Sequence, residues 1–459
     1  MSAANTGFVS DAGPGMPAGW ALHLGEGRAL FRLALPIALI ALVNMGMSVT
    51  DTVMVSALFG AGALAAVAVG SDLYSILFYL CAGILGGVAP FYTAAVTRAD
   101  ADGRRRLERT GWLLAGLLAA LMVPLVWFAP AWLALFGLEA QLLAEGEGYT
   151  RSMALTLVPM LGVVFFRTIL TAAEKPKVFL KVTLAMLPLN AAANYVFMAG
   201  AGPLPAFGPT GAGVSTLLVA LASFAVLMVV ARRAVSALPA DGMPSAERQD
   251  LAAVLRVGLP IGVMTATETG IFLGATLYAA TLGAAEVAAH TLTLRMAGIV
   301  YAGSASLLQA AMVRMARAQA LGDAALGRAV TLASLVIASV LGLVMLVLLG
   351  TGAGPLATAF FDDGAAGIAA AQIAAGLLVL LGLVQLAGYP GLAAGGLLRG
   401  RRDTRAPMVY MVIGYWVVGA PLGLWLCEMQ DLGVTGLWIG LVAGTVVNTA
   451  LTWLRLLRR

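Results

Sequence analysis

Charge is what this chain has least of. Asp, Glu, Lys and Arg make up 11% of its 459 residues, against roughly a quarter in a soluble domain. That shortage excludes an ordinary soluble fold. Cysteine and histidine number two each. Cys81 and Cys427 both lie in apolar runs, so no disulfide framework is expected and both read as small core residues. His23 lies in the N-terminal tail, and His290 opens an apolar run near its outer end, where it reads as a structural interface residue rather than a ligand. There is no zinc spacing, no phosphate-binding Walker loop and no nucleophile triad. Gly60-Ala61-Gly62 is a turn between two apolar runs, not the strand-to-helix loop of a dinucleotide site. The first 28 residues hold no apolar core of signal-peptide length and are expected to form a short cytoplasmic tail.

What the chain has instead is length in apolar runs. Hydrophobic residues make up 61% of it. A dozen runs come near the roughly 20 residues that one bilayer crossing needs. They fall at about 29–57, 62–95, 111–136, 151–172, 179–199, 208–231, 252–281, 287–313, 327–350, 368–397, 407–427 and 433–456. Lipid offers backbone groups no hydrogen bonds, so each run is expected to be helical. The net charge of +5 invites a nucleic-acid partner, but its distribution argues against one. Arg28, Arg98, Arg104, Arg105, Arg106, Lys175, Lys177, Arg233, Arg256, Arg314, Arg402 and Arg455 all fall into alternate loops or helix ends on one side. Glu139, Glu145, Glu147, Asp362, Asp363, Glu428 and Asp431 fall on the other. Only Arg151, Arg167 and Arg295 depart from the sorting of basic residues. This is the positive-inside pattern, with both termini cytoplasmic.

The second six runs repeat the first six. Leu35-Pro36-Ile37 leads to Gly60-Ala61-Gly62-Ala63-Leu64-Ala65-Ala66, and Leu259-Pro260-Ile261 leads to Gly283-Ala284-Ala285-Glu286-Val287-Ala288-Ala289. Six crossings bring the chain back to its starting side, so the two halves are parallel repeats, a common plan among secondary transporters. The longest polar connection lies between them. The expected organisation is a tail over 1–28, an N-terminal lobe over 29–233, a linker over 234–250 and a C-terminal lobe over 251–459.

Few residues in these runs carry chemistry. A carboxylate at membrane depth is costly and marks a functional site by default. Asp51 lies 15 residues past Pro36, which at about 1.5 Å per residue is the outer half of its helix. Its plain alternative is a helix-end residue reaching water. Glu268 lies eight residues past Pro260, nearer mid-membrane. By the repeat, Glu268 matches Asn44. Thr265, one turn before Glu268, is expected to donate a hydrogen bond to it. Asn190 and Asn194 share one helix face; they act either as helix-to-helix glue or as a polar cluster with Asp51. Asp72 and Arg295 occupy matching repeat positions. They either pair across the bundle axis or sit apart in water-filled clefts, and the rarity of a lone membrane Arg favours a pair or a gate.

These stretches resemble the multidrug and toxic compound extrusion (MATE) family. The resemblance rests on Leu35-Pro36-Ile37 through Thr50-Asp51-Thr52-Val53, on Gly62-Ala63-Leu64-Ala65-Ala66-Val67, and on Gly258-Leu259-Pro260 with Glu268. Val287-Ala288-Ala289-His290, Leu398-Arg399-Gly400 and Tyr415-Trp416 add to it, so that it covers roughly residues 28–457. It implies an all-α membrane protein of twelve helices in two pseudo-symmetric six-helix bundles around a central cleft. It implies antiport: an organic, cationic compound leaves in exchange for H+ or Na+, with no cofactor and no nucleic acid. The expected setting is the lipid bilayer of a bacterial inner membrane, and the expected state a monomer. Asp51 would be a coupling residue supported by Asn190 and Asn194. Glu268 would belong to a cation site in the second half, with Na+ as the metal to expect there. Asn44, Thr265 and Tyr389 join Asn190 and Asn194 as the candidate supporting polar groups. Where some relatives carry a tenth-helix aspartate, this chain has Gly388, which removes one anionic ligand and tilts the expectation toward protons.

Two rivals give different expectations. A flippase for lipid-linked sugars needs a strongly cationic cleft, and only Arg167 and Arg295 are expected inside the membrane. An intramembrane enzyme needs clustered His, Ser/Asp or metal ligands at depth, and the sequence shows none.

Overall fold

A computed structural model of the chain describes residues 18–200, 205–242, 250–362 and 364–458. The first seventeen residues of the expected tail and residues 243–249 of the expected linker lie outside the described part. Twelve helices among the described residues are long and apolar enough to cross a membrane. They are α1 (Leu22–Gly60), α2 (Gly62–Thr97), α3 (Ala101–Trp127), α4 (Ala140–Ala172), α5 (Pro176–Ala199), α6 (Thr210–Ser236), α7 (Leu251–Leu282), α8 (Ala284–Leu321), α9 (Ala324–Phe360), α10 (Ala365–Gly400), α11 (Arg405–Met429) and α12 (Gly433–Leu457).

Helix ends differ from the apolar runs for local reasons. The first helix starts at Ala18, well before its apolar run. It takes in Glu26 and Arg28, polar residues that mark the tail in the sequence but suit a helix beyond the hydrocarbon. Helix α3 likewise starts ten residues before its apolar run. Asp100 caps it, its carboxylate accepting from the Gly103 N–H at 2.7 Å. The same run breaks at Phe128, and a short separate helix, Ala129–Leu135, follows with Pro130 in its first turn. Helices α1 and α2 run almost continuously; Gly60, at φ +80°, makes the bend between them. Only a residue without Cβ adopts that angle freely.

The chain divides into two compact units. One is Leu39–Ala266; the other joins Thr267 onward to the start of α1, up to Ala38. The boundaries therefore fall inside α1 and α7 and not in the polar linker. Packing explains both. The first half of α7 lies against α2 in the first unit, where Gly83 and Gly87 face Gly258 and Gly262. A methyl on Gly87 would strike Gly258, and one on Gly258 would strike the Ile84 carbonyl. Backbones that close hold through many small contacts, which side chains would block. The start of α1 is held in the second unit by an ion pair with α8. Arg314 Nε donates to Glu26 Oε2 at 2.9 Å and its Nη2 to Oε1 at 2.5 Å, both side chains 8% exposed. The described end of the linker stays with the first unit: Arg104 donates to the Pro239 carbonyl at 2.7 Å and Lys175 to that of Ala234 at 2.8 Å.

In the second unit, α11 is not uniform. Residues Ile413–Gly419 form a π-helical turn. In such a turn hydrogen bonds run from i to i+5, so residues five apart stand nearly above one another. Gly414 and Gly419 thus share a face, and both meet α12: a methyl on Gly414 would strike the Gly444 carbonyl, and one on Gly419 would crowd that of Gly440.

Candidate functional site

In the first unit the structure brings Asp51, Asn190 and Asn194 together. Asp51 stands on α1 nine residues before the Gly60 bend. Asn190 and Asn194, one turn apart on α5, are 3% and 0% exposed. Asn194 Nδ2 donates to Asp51 Oδ1 at 2.5 Å, and Asn190 hydrogen-bonds the same carboxylate. The Oδ1 atoms of both amides are buried with no hydrogen-bond partner among the described residues. Asn44 lies on the same face of α1 two turns away and is exposed. Sequence reasoning missed Tyr149 on α4. Its hydroxyl hydrogen-bonds Ser71 and lies within electrostatic reach of Asp51 and Asp72. Nothing in the pattern around Tyr149 marks it; only the α2–α4 packing, where Gly70 meets Tyr149 and Thr150, brings it in. Asp72 is an exposed residue of this unit, and Arg295 an exposed residue of the other.

In the second unit Glu268 is half-buried on α7. Its donor is Tyr301 of α8, whose hydroxyl reaches Glu268 Oε2 at 3.2 Å. Thr265 does not play the part expected of it. Its hydroxyl donates to the Ile261 carbonyl of its own helix at 3.1 Å, a local bond that Ser and Thr make readily and that leaves no proton for Glu268. Tyr389 is buried on α10 and donates to the Val300 carbonyl at 3.0 Å, so it fixes the backbone beside Tyr301 and spends its proton there. Gly388 has room: a Cβ there would only touch Thr445 at 3.7 Å. Arg399, in the last turn of α10, interacts electrostatically with Glu268 and Tyr301. Its long stem hides from the sequence which way the guanidinium turns. Among the described residues no three His, Cys, Asp or Glu side chains lie together as a metal set.

His290 is fully buried in this unit rather than at a surface. Trp438 Nε1 donates to its Nδ1 at 3.1 Å, and its Nε2 lies 3.1 Å from the Thr276 hydroxyl. Indole N–H only donates, and Thr276 already donates to the Phe272 carbonyl. The ring is therefore neutral with its proton on Nε2, given to Thr276. Both nitrogens are spent on packing, which leaves no ligand role.

Twelve helices long and apolar enough to span a membrane, with a hydrogen-bonded carboxylate inside a span in each unit, define a polytopic membrane protein. The MatE family pattern matches residues 36–196 and 260–425. A probable multidrug resistance protein NorM of Mesorhizobium japonicum is 32% identical over 444 residues, 95% of this chain and 94% of the relative. Another of that name, from Deinococcus radiodurans, is 32% identical over 94% of each chain. The chain belongs to the MatE family. Solved structures share its fold at lower identity. An outward-facing multidrug resistance MATE family transporter of the MOP superfamily matches with TM-score 0.84 at 19% identity, covering 97% of this chain and 98% of its own. The eukaryotic MATE transporter AtDTX14 matches with TM-score 0.80 at 17% identity, over 95% and 97%.

Proposed function

We propose that this protein is a secondary antiporter that exports organic cations in exchange for protons across a bacterial inner membrane. The observation that carries the reading is Asp51, a carboxylate inside a span, held by two amides whose remaining acceptors are free. A carboxylate with little water around it holds a proton more tightly than one in solution. It takes that proton from the outer side and gives it up on the inner side. In its charged form it attracts a cationic compound. One carboxylate serving one partner at a time makes exchange obligatory, and a ligand that favours one state shifts the protein toward it.

The names of the relatives point to multiple drugs as cargo. Sodium is the weaker candidate at Glu268. Hard cations prefer several oxygen ligands. There Gly388 brings no second carboxylate to share the charge of the ion with Glu268. The basic side, where the even-numbered helices end, is the cytoplasmic one with both termini, by the positive-inside rule. The test is efflux of a fluorescent organic cation from proteoliposomes. An imposed pH gradient, acid outside, is expected to drive it and a sodium gradient alone is not. Efflux driven by sodium and indifferent to pH would reject proton coupling.

A further inference from the structure

The first unit holds a cation that the coupling site does not use. Arg167 lies on α4, five residues before its end at Ala172, and departs from the one-sided sorting of basic residues. Its neighbours fix the way it turns. Phe165 and Phe166 are buried and close on Trp112 of α3, their ring centroids 4.9 and 5.3 Å from that of the indole, and Phe166 lies 5.9 Å from Phe224 of α6. Two glycines make room for these rings: a Cβ on Gly111 would strike Phe165, and one on Gly162 would strike Phe224. With that side of α4 committed to α3 and α6, Arg167 is left to the α2 side. Helices α2 and α4 run side by side in a fixed register, since Gly70 meets Thr150 and Thr93 donates to the Ala172 carbonyl at 3.2 Å. In that register Tyr79 of α2 stands about two turns nearer the level of Tyr149 and Asp51 than Arg167 does. Tyr79 is nevertheless the one electrostatic partner of Arg167 among the described residues. The guanidinium therefore rises along the span, in the direction in which helical side chains lean, and does not turn to the water beyond Ala172.

A guanidinium inside a span is costly unless an anion meets it, and no carboxylate of the described residues pairs with this one. Arg167 is half-buried, and Tyr79 is 51% exposed with a hydroxyl that donates to no described residue. A charged donor and a neutral one thus lie close together, both unspent and both within reach of a ligand. We propose that Arg167 and Tyr79 form a recognition subsite for a carboxylate group on the cargo, so that the protein takes zwitterionic organic compounds as well as simple cations. The proposal rests on the reading of the protein as an exporter of organic ions. A guanidinium offers two parallel N–H groups to the two oxygens of a carboxylate, and it has no acceptor of its own. The phenol adds a third donor. A simple cation is repelled here, and its place is at Asp51. The level of the subsite favours a solute over a lipid headgroup: Tyr79 stands halfway along α2, Gly62–Thr97, where a bilayer holds acyl chains. Cargo that enters by the end of the unit near Ala172 meets this subsite before it meets Asp51.

The test is equilibrium dialysis of the full-length protein in phosphatidylcholine nanodiscs at neutral pH, with no ion gradient. The probes are a rhodamine dye with a free carboxylate, which is a zwitterion, and the methyl ester of the same dye, which is a plain cation. Arg167→Gln is expected to weaken binding of the zwitterion about tenfold or more, as when a hydrogen-bonded charge is removed. Binding of the ester is expected to stay parental or to tighten, because a repelling charge is gone. Tyr79→Phe is expected to cost the zwitterion about threefold and the ester nothing. Arg167→Lys, which keeps the charge and loses the fork, is expected to fall between parent and Arg167→Gln. Thermal unfolding checks that each variant folds, and Tyr79→Phe serves if Arg167→Gln does not. Equal losses for the two dyes would overturn the proposal, since they would reduce both residues to packing. So would parental binding of the zwitterion in Arg167→Gln and Tyr79→Phe, or no binding of it to the parent. A further arm adds phosphatidylglycerol to the nanodiscs. Loss of the zwitterion alone from the parent would give the subsite to a lipid headgroup and overturn its assignment to cargo. Efflux of the ester under a pH gradient is read separately: its absence would overturn the proposed exchange and leave the subsite standing.

Discussion

At the scale of single residues, Asp51 carries the account. Asp51→Asn keeps the size of the side chain and removes its charge. The variant is expected to reach the membrane at parental abundance and to lose proton-driven efflux by two orders of magnitude or more, measured in proteoliposomes. Asn194→Leu removes a buried donor and leaves the Asp51 carboxylate without its nearest partner. Losing such a bond to a charged group costs about 1.5–3 kcal/mol, so this variant is expected to retain binding but to exchange protons at a shifted pH, seen in the pH profile of efflux. Gly388→Asp tests the other unit. The position has room, and Thr445 lies beside it. By the family resemblance the new carboxylate adds an anionic oxygen ligand to the Glu268 site, and sodium is expected to stimulate efflux in this variant and not in the parent. Much of this was legible in the sequence. Asp51 and Glu268 stand out because charge is rare in apolar runs, and the spacing of Asn190 and Asn194 sets them on one face. Tyr149 and Tyr301 were not legible. A tyrosine in an apolar helix carries no mark of which way its hydroxyl turns, and its partners come from helices far away in sequence. Thr265 misleads for a related reason: the sequence shows a hydroxyl near Glu268 but not that the helix itself takes its proton.

At the scale of elements, α1 and α7 behave alike. Each begins in one unit and continues in the other, and the number and order of apolar runs give no sign of that. Periodicity reports that a helix exists, whereas its allegiance depends on contacts such as Gly87 with Gly258. The glycines themselves were visible in the sequence as packing residues, without their partners. Glu26 and Arg314 make the strongest single anchor at the start of α1. Removing one partner of a buried ion pair leaves an uncompensated charge, at a cost of about 3–5 kcal/mol. Glu26→Gln is therefore expected to lower the thermal midpoint in detergent by several degrees. The exchanged pair, Glu26→Arg with Arg314→Glu, is expected to recover part of that loss. Strictly additive losses in the double-mutant cycle would show that the two residues do not stabilise each other.

At the scale of the whole molecule, the sorting of charge underlies the proposed orientation. Single cysteines placed in a background lacking Cys81 and Cys427 are expected to react with a membrane-impermeant maleimide from outside at positions 145 and 362. Those at 105, 233 and 402 are expected to react only after the membrane is opened. Labelling of position 233 from outside would contradict the positive-inside reading and the count of six crossings before it. The function proposed at this scale is obligatory exchange, and the most direct test follows the proton itself. Purified protein in weakly buffered detergent solution, with a pH-sensitive dye, is given a saturating pulse of organic cation. If one carboxylate binds proton or cargo but never both, the parent releases close to one proton per cation bound. Asp51→Asn then binds cation with no release. Release that persists undiminished in Asp51→Asn, or cation binding by the parent with no proton released at any pH, would contradict exchange at this site.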